Sequence, residues 1–234
     1  YKDLDHKWKN LKCEYCGASK NLYNREDFLE QHAYNFIHTN NPKELFNMKF
    51  DVIIGNPPYQ MSTGGSGGGS AIPIYDKFIE TAKKISPRFL VMIIPSRWFS
   101  GGRGLDSFRE KMLNDKSISK LFDFPLSSEC FPGVEIKGGV CYFLWEKNYN
   151  GKCEVTTIKG SNKETKLRYL NQFGDNLFIR YNSSIPILEK VTEFNEDSFS
   201  EHVSSQKPFG LRTYEQGNKT KTTNSITLYT NKGL

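Results

Sequence analysis

The segment Asp51-Val52-Ile53-Ile54-Gly55-Asn56-Pro57-Pro58-Tyr59 constrains this chain more than any other. Phe50 to Ile54 is an apolar run too short for a helix, and it meets Gly, Asn and two prolines, so it reads as a buried strand with a punctuated end. Proline cannot donate to a sheet ladder, so pairing must stop there. The same alternation of strand and helix patterns runs from about residue 25 to 147. Glu26 to Phe36 has helical spacing, as do Ile74, Phe78, Ile79, Ala82 and Ile85, with Pro73 suited to a first turn. Phe89 to Ile94 is a strand closed by Pro95, and Leu105, Phe108, Met112 and Leu113 predict a helix. Leu121 to Phe124 and Val140 to Trp145 add strands, and after the Asn150-Gly151 turn Glu154 to Ile158 adds another. The pattern predicts an α/β fold with a mostly parallel sheet and an antiparallel edge.

Composition narrows the class. The 234 residues are 37% hydrophobic and 25% charged, as in globular proteins, and no apolar run approaches the roughly 20 residues that cross a bilayer. With no charged-then-apolar leader, the expectation is a cytoplasmic protein without a membrane partner. Cys13, Cys16, Cys130, Cys141 and Cys153 are few and odd in number, which suits reduced thiols rather than a disulfide scaffold. A net charge of +6 permits a polyanionic partner without naming one. Ser62 to Ser70 is almost wholly Gly and Ser and reads as a mobile loop, or else as an inserted linker. Beyond about Gly160 the patterning weakens, so a first domain is expected over 1–160 and the start of a second over 161–234. The opening on Tyr1 and the stop at Leu234 within a polar stretch lead us to expect a segment of a longer protein.

The chemistry concentrates at Asn56. In an open α/β sheet, ligands sit at the carboxyl ends of strands, where this residue would emerge. Pro57 and Pro58 fix φ and remove two amide donors, so acceptors remain: the Asn56 side-chain carbonyl and the Pro57 main-chain carbonyl, beside the Tyr59 ring. Together they suit a planar group bearing an NH₂. Such an amine is a poor nucleophile because its lone pair is delocalised. Two acceptors gripping both hydrogens can draw the nitrogen toward tetrahedral geometry and aim its lone pair at an activated methyl group.

At these residues the sequence resembles the DNA adenine-N6 methyltransferases of bacterial restriction-modification systems, the group with Asn-Pro-Pro-Tyr and a C-terminal target-recognition domain. The resemblance covers roughly Tyr34 to Trp145 in the family's order. Val91-Met92-Ile93-Ile94-Pro95-Ser96-Arg97-Trp98-Phe99 looks like its next strand, and Phe131-Pro132-Gly133-Val134 like the motif whose aromatic ring packs on the target base. It implies a partial Rossmann-like methyltransferase fold, S-adenosylmethionine as cofactor and double-stranded DNA as partner, with a cognate restriction endonuclease or fused nuclease as a further possible partner. It assigns catalysis to Asn56, Pro57, Pro58 and Tyr59, and stacking on a flipped adenine to Tyr59 and Phe131. Asn40, in Phe36-Ile37-His38-Thr39-Asn40-Asn41, falls where relatives often place a donor-contacting Asp, so with Asn56 it is the expected cofactor contact. Two other readings remain: a methyltransferase for another planar amine (a protein glutamine or an RNA base), or a non-catalytic DNA-binding piece of a restriction protein.

Other motifs are weaker. Gly101, Gly102 and Gly104 followed by Asp123 imitate a dinucleotide fingerprint, but Pro95 to Ser100 separate strand from glycines and Ser107 occupies the third glycine place. Cys13-x-x-Cys16 with His32 and His38 meets a generous zinc spacing. One CxxC is a weak signal and histidines six apart do not share a helix face, so no metal site is expected and His38 reads as structural. Arg97, Arg103 and Arg109 lie on or beside the presumed active-site side, as surface charge or phosphate contacts, and Lys207 to Thr213 resembles the entry to a recognition domain.

The resembled family cradles its methyl donor in a Gly-rich loop after its first strand, and no such loop precedes Asn56. A small ligand must offset its lost freedom with several simultaneous contacts, so this chain should bind S-adenosylmethionine weakly or not at all, and should be inactive alone. Calorimetry checks this: micromolar affinity would relocate the donor site, with the Gly102 region first in line.

Overall fold

Ten strands and four α-helices occur in a computed structural model that describes residues 6–20, 36–46, 48–61, 71–102, 104–174, 176–197 and 199–203. In chain order they are β1 (Trp8–Lys9), β2 (Lys12–Cys13), α1 (Pro42–Phe46), β3 (Val52–Gly55), β4 (Gln60–Met61), β5 (Ile72–Pro73) and α2 (Tyr75–Ile85). Next come β6 (Phe89–Pro95), α3 (Asp106–Asn114), β7 (Ile118–Phe124), β8 (Val140–Glu146), β9 (Cys153–Lys159), β10 (Asn162–Arg168) and α4 (Ile185–Thr192). The helix expected over Glu26 to Phe36 and the Gly/Ser run Ser62 to Ser70 lie outside the described residues, apart from Phe36.

The main sheet has six strands in the order β10-β9-β7-β8-β6-β3. β3 pairs parallel with β6, Val52 opposite Phe89 through Gly55 opposite Met92, and β7 pairs parallel with β9. β8 runs antiparallel between β6 and β7, and β10 antiparallel to β9. The expected α/β architecture with parallel pairs is present, but the sheet is mixed, with an antiparallel strand at its centre as well as at its edge. The reason is burial. Val140, Cys141 and Phe143 of β8 are completely buried, and such a run belongs where both faces are covered. The polar β10, Asn-Lys-Glu-Thr-Lys-Leu-Arg, takes the edge.

β3 departs from expectation. Among the described strands of this sheet it has β6 as its one neighbour, and Val52 and Ile54 are 47% and 76% exposed among the described residues. An apolar run alone does not distinguish a central strand from an edge. Beyond Asn56-Pro57-Pro58-Tyr59 the short hairpin β4–β5 leads into α2, which places Tyr75, Phe78, Ile79, Ala82 and Ile85 on its buried face. Ser86 in the left-handed conformation (φ 62°) closes α2, its N–H bonded to the Lys83 carbonyl, before the chain returns parallel as β6. The core collects Leu90, Ile94, Trp98, Leu105, Met112, Leu121, Phe143 and Val155, with the Trp98 indole N–H donating to Cys141 Sγ at 3.4 Å. Burial holds the Cys141 and Cys153 thiols protonated, each pushed up to about 12. Among the described residues no helix is long and apolar enough to cross a membrane.

The chain forms two compact units, Tyr1–Ile187 and Leu188–Leu234. A boundary at residue 160 falls in the turn joining β9 to β10, which pair along their whole length, so the sheet-bearing unit runs further than the weakening pattern suggests. Of the second unit, the described part includes the end of α4 and a 3₁₀ turn, Phe199–His202.

The strand ends are tied by a buried ion pair. Asp123, at 0% exposure, accepts from Arg180 Nε at 2.5 Å, Arg180 Nη2 at 2.8 Å and Ser96 Oγ at 2.7 Å, while Arg180 Nη2 also donates to the Gly138 carbonyl at 2.7 Å. Burial disfavours the Arg180 charge, but the Asp123 carboxylate overrides it, and the guanidinium ends above its ordinary pKa. Removing one partner strands a buried charge. Arg180→Met should therefore cost about 3–5 kcal/mol in urea unfolding, and the double variant Asp123→Asn/Arg180→Met should recover part of it. Additive losses would mean the pair is not coupled.

Candidate functional site

β3 ends at Gly55, so its ladder delivers Asn56 to the carboxyl end of the β3–β6 parallel pair. A cavity of about 880 Å³ opens there, lined by Asn56, Pro57, Pro58, Tyr59 and Gln60 from one side and by Ala71, Pro73 and Tyr75 from the hairpin and α2. Pro95 and Arg97 close it from the end of β6, and Glu135, Ile136 and Lys137 from the loop before β8. All four residues of the Asn-Pro-Pro-Tyr segment thus meet in one cavity, of a size that accommodates a small ligand. Asn56 is exposed, Pro57 buried, and Pro58 and Tyr59 half-buried.

The β4–β5 hairpin holds this segment in place. Gln60 pairs with Pro73 and Met61 with Ile72, and the Ile74 N–H donates to the Tyr59 carbonyl at 3.3 Å. Tyr59 Oη is buried and makes no hydrogen bond among the described residues. Burial, with the nearby Cys130 and Cys141, pushes its pKa up to about 12, so the phenol is neutral throughout the physiological range. Tyr75 is similar: its hydroxyl is buried with no hydrogen bond among the described residues, and burial raises its pKa well above the usual range. Neither phenol is a base here. The polar donors and acceptors of the lining are neutral apart from Arg97, Lys137 and Glu135.

The loop 125–139 supplies the far wall, and Ser127 organises it. Its hydroxyl donates to the Val134 carbonyl at 2.9 Å and accepts the Ile136 N–H at 2.8 Å. Gly139 (φ 83°) closes the loop where a Cβ would stand 2.1 Å from the Phe124 carbonyl oxygen, so no other residue fits. Phe131 is half-buried on this loop rather than in the core, next to the Cys130 that faces Tyr59, but it does not line the cavity. Asn40 is exposed in a turn after His38 and is not among the lining residues.

Tyr75, Glu135, Ile136 and Lys137 were not legible as site residues in the sequence. The Gly-flanked stretch Gly133 to Gly139 between two strands was the available signal, since loops at strand ends carry function. Gly101, Gly102 and Gly104 take positive φ in the turn before α3, where the Gly102 N–H donates to Asp106 Oδ1 at 3.0 Å, and Asp123 is consumed by Arg180. Arg109 is likewise occupied, donating to the Ser100 carbonyl at 2.8 Å, whereas Arg97 reaches the cavity. Arg103, His32 and Lys207 to Thr213 lie outside the described residues. Cys13 and Cys16 are buried away from the cavity lining, together with His38 and with His6, which precedes the Cys-x-x-Cys pair and so falls outside the zinc spacing read from the sequence.

A curated relative from Mycoplasma pneumoniae, described as an uncharacterized adenine-specific methylase, is 40% identical over 181 residues, covering 73% of this chain and 42% of its own. The chain thus spans less than half the length of that relative. Among solved structures, the type IIG restriction endonuclease BpuSI is similar at 14% identity and a TM-score of 0.42, over 62% of this chain and 22% of that one. A methyltransferase subunit of a type I restriction-modification system from Streptococcus thermophilus is similar at 16% identity and a TM-score of 0.33, over 74% of this chain and 35% of that one. Residues 1–131 match the model of the Eco57I restriction-modification methylases, and with more than half of its length so matched, the chain belongs to that family.

Proposed function

We propose that this chain carries the catalytic corner of a DNA adenine-N6 methyltransferase of a restriction-modification system. The observation that supports it most is the convergence of Asn56, Pro57, Pro58 and Tyr59 on one cavity at the carboxyl ends of β3 and β6. The Asn56 side-chain carbonyl and the Pro57 carbonyl accept the two hydrogens of the adenine amine. As nitrogen becomes tetrahedral these bonds strengthen, so they favour the transition state over the bound substrate. No side-chain base is required, because the amine loses its proton after the N–C bond has formed. Tyr59 is neutral and offers a ring face.

S-adenosylmethionine, when bound, supplies the electrophilic methyl group. The residues fit it in part: Asn56 is exposed and lines the cavity with Pro57 and Tyr59, while Glu135 is the one carboxylate of the lining among the described residues. Asn56 is the residue we assign next to the donor, with Asn40 a more distant second. Arg97 and Lys137 supply positive charge at the rim, as a DNA phosphate requires. The catalytic work belongs to the sheet-bearing unit and target recognition to the chain beyond it, in the cytoplasm and beside a restriction nuclease.

In the complete protein, Asn56→Ala should lower methyl transfer to a cognate duplex by about 100-fold or more while specific DNA binding persists. Near-normal turnover would sink the assignment. An adenine inside a duplex is out of reach, so it must be extruded and its lost stacking replaced. Tyr59 supplies one face, and Phe131, on the loop that forms the far wall, is the residue we assign to the other. With 2-aminopurine at the target, Tyr59→Ala and Phe131→Ala should each alter the fluorescence change on binding, each stacking contact being worth roughly 1–3 kcal/mol. An unchanged signal in the double variant would remove both rings from base capture.

A further inference from the structure

A second cluster of chemistry-bearing side chains lies outside the cavity. β1 and β2 are two-residue strands joined through Asn10 and Leu11, both at positive φ, and the turn after them is Cys13-Glu14-Tyr15-Cys16-Gly17. Gly17 (φ 75°) donates its N–H to the Cys13 carbonyl at 2.9 Å, and the Cys13 N–H donates to the Ala18 carbonyl at 2.9 Å. The loop therefore folds around its own two thiols. His6 enters just ahead of β1, and His38 arrives from a separate part of the chain.

The four ligand atoms lie within 4.8 Å of one another, and all four residues are buried. Cys16 Sγ is 3.5 Å from His6 Nδ1 and 3.3 Å from His38 Nε2, and Cys13 Sγ is 4.0 Å from His38 Nε2. A tetrahedral ion with bonds of ~2.3 Å to sulfur and ~2.0 Å to nitrogen sets each sulfur–nitrogen edge at about 3.5 Å. The observed edges bracket that value. Each histidine thus turns a ring nitrogen on a sulfur, an arrangement a Cys13–Cys16 disulfide would neither need nor explain. The Trp8 ring stands 4.7 Å from His6 and the Tyr15 ring 6.1 Å from His38, flanking the cluster with aromatic surface.

We infer that His6, Cys13, Cys16 and His38 form a structural zinc site. Binding releases one proton from each thiol, so two thiolates and two neutral imidazoles balance the dication and the buried complex is uncharged. Four protein ligands leave no open position for a substrate, and paired thiolates and imidazoles select zinc over harder divalent ions. The ion does for this segment what its size cannot, because two-residue strands are too short to hold a hairpin in water. It also fixes the segment to the catalytic half. Cys13, Cys16, Ala18 and Ile37 share a small core with Met61, Ile74 and Phe78, and Met61 lies two residues beyond Tyr59.

The test uses the reduced 234-residue chain. Elemental analysis should find a stoichiometric zinc ion, X-ray absorption two sulfur and two nitrogen neighbours, and cobalt replacement the visible bands of a tetrahedral thiolate site. His6→Ala and Cys16→Ser should lose the metal, and His32→Ala should keep it. Should the first two fail to fold, the absorption and cobalt spectra of the unaltered chain decide the matter. Folded chain with far less than stoichiometric zinc and no cobalt bands, or loss of metal on His32→Ala instead of His6→Ala, would each overturn the assignment.

Discussion

The wall that faces Asn56 across the candidate site hangs from the buried pair of Asp123 and Arg180. One carboxylate receives the guanidinium and the Ser96 hydroxyl, and the same guanidinium reaches the Gly138 carbonyl. Ser96 follows β6, Asp123 is near the end of β7, and Gly138 precedes β8, so three strand ends are fixed relative to one another. Those ends carry Arg97 and the wall of Glu135, Ile136 and Lys137. A buried charge pair contributes little net stability compared with well-packed apolar residues, but breaking it is costly. Such a bond suits a place where position matters more than strength.

The chemistry that this frame presents is marked by restraint. The phenols of Tyr59 and Tyr75 are held neutral by burial, and the acceptors at Asn56 and Pro57 carry no charge. On the proposed function, a site of this kind gains nothing by proton abstraction from an amine that is scarcely acidic. It gains by geometry, and geometry here comes from two prolines after a strand and a hairpin that accepts no slack at Tyr59. The hairpin in turn packs on the small core built around Cys13 and Cys16, so the proposed zinc site and the Asn-Pro-Pro-Tyr segment are joined through Met61, Ile72 and Ile74.

The sequence by itself determined the α/β class, the positions of α2, α3 and of β6 through β9, and the emergence of Asn56 at a strand end, because those depend on local periodicity and on proline's missing N–H. It could not determine which strand is central. Val140 to Trp145 and Phe50 to Ile54 are both short apolar runs, yet among the described strands one lies between two neighbours and the other has one, with Val52 and Ile54 exposed. Only tertiary neighbours separate them. The loop 125–139 became a wall of the cavity for the same reason: nothing local in Glu135-Ile136-Lys137 says what lies opposite. Most plainly, spacing along the chain places His32 and His38 after Cys13 and Cys16, and the fold brings up His6 from before the first strand to join His38, His32 lying outside the described residues. Ligand geometry is set by distance in space, and the tight turn at Asn10 and Leu11 folds β1 back along β2 so that a residue before the first strand stands beside Cys16.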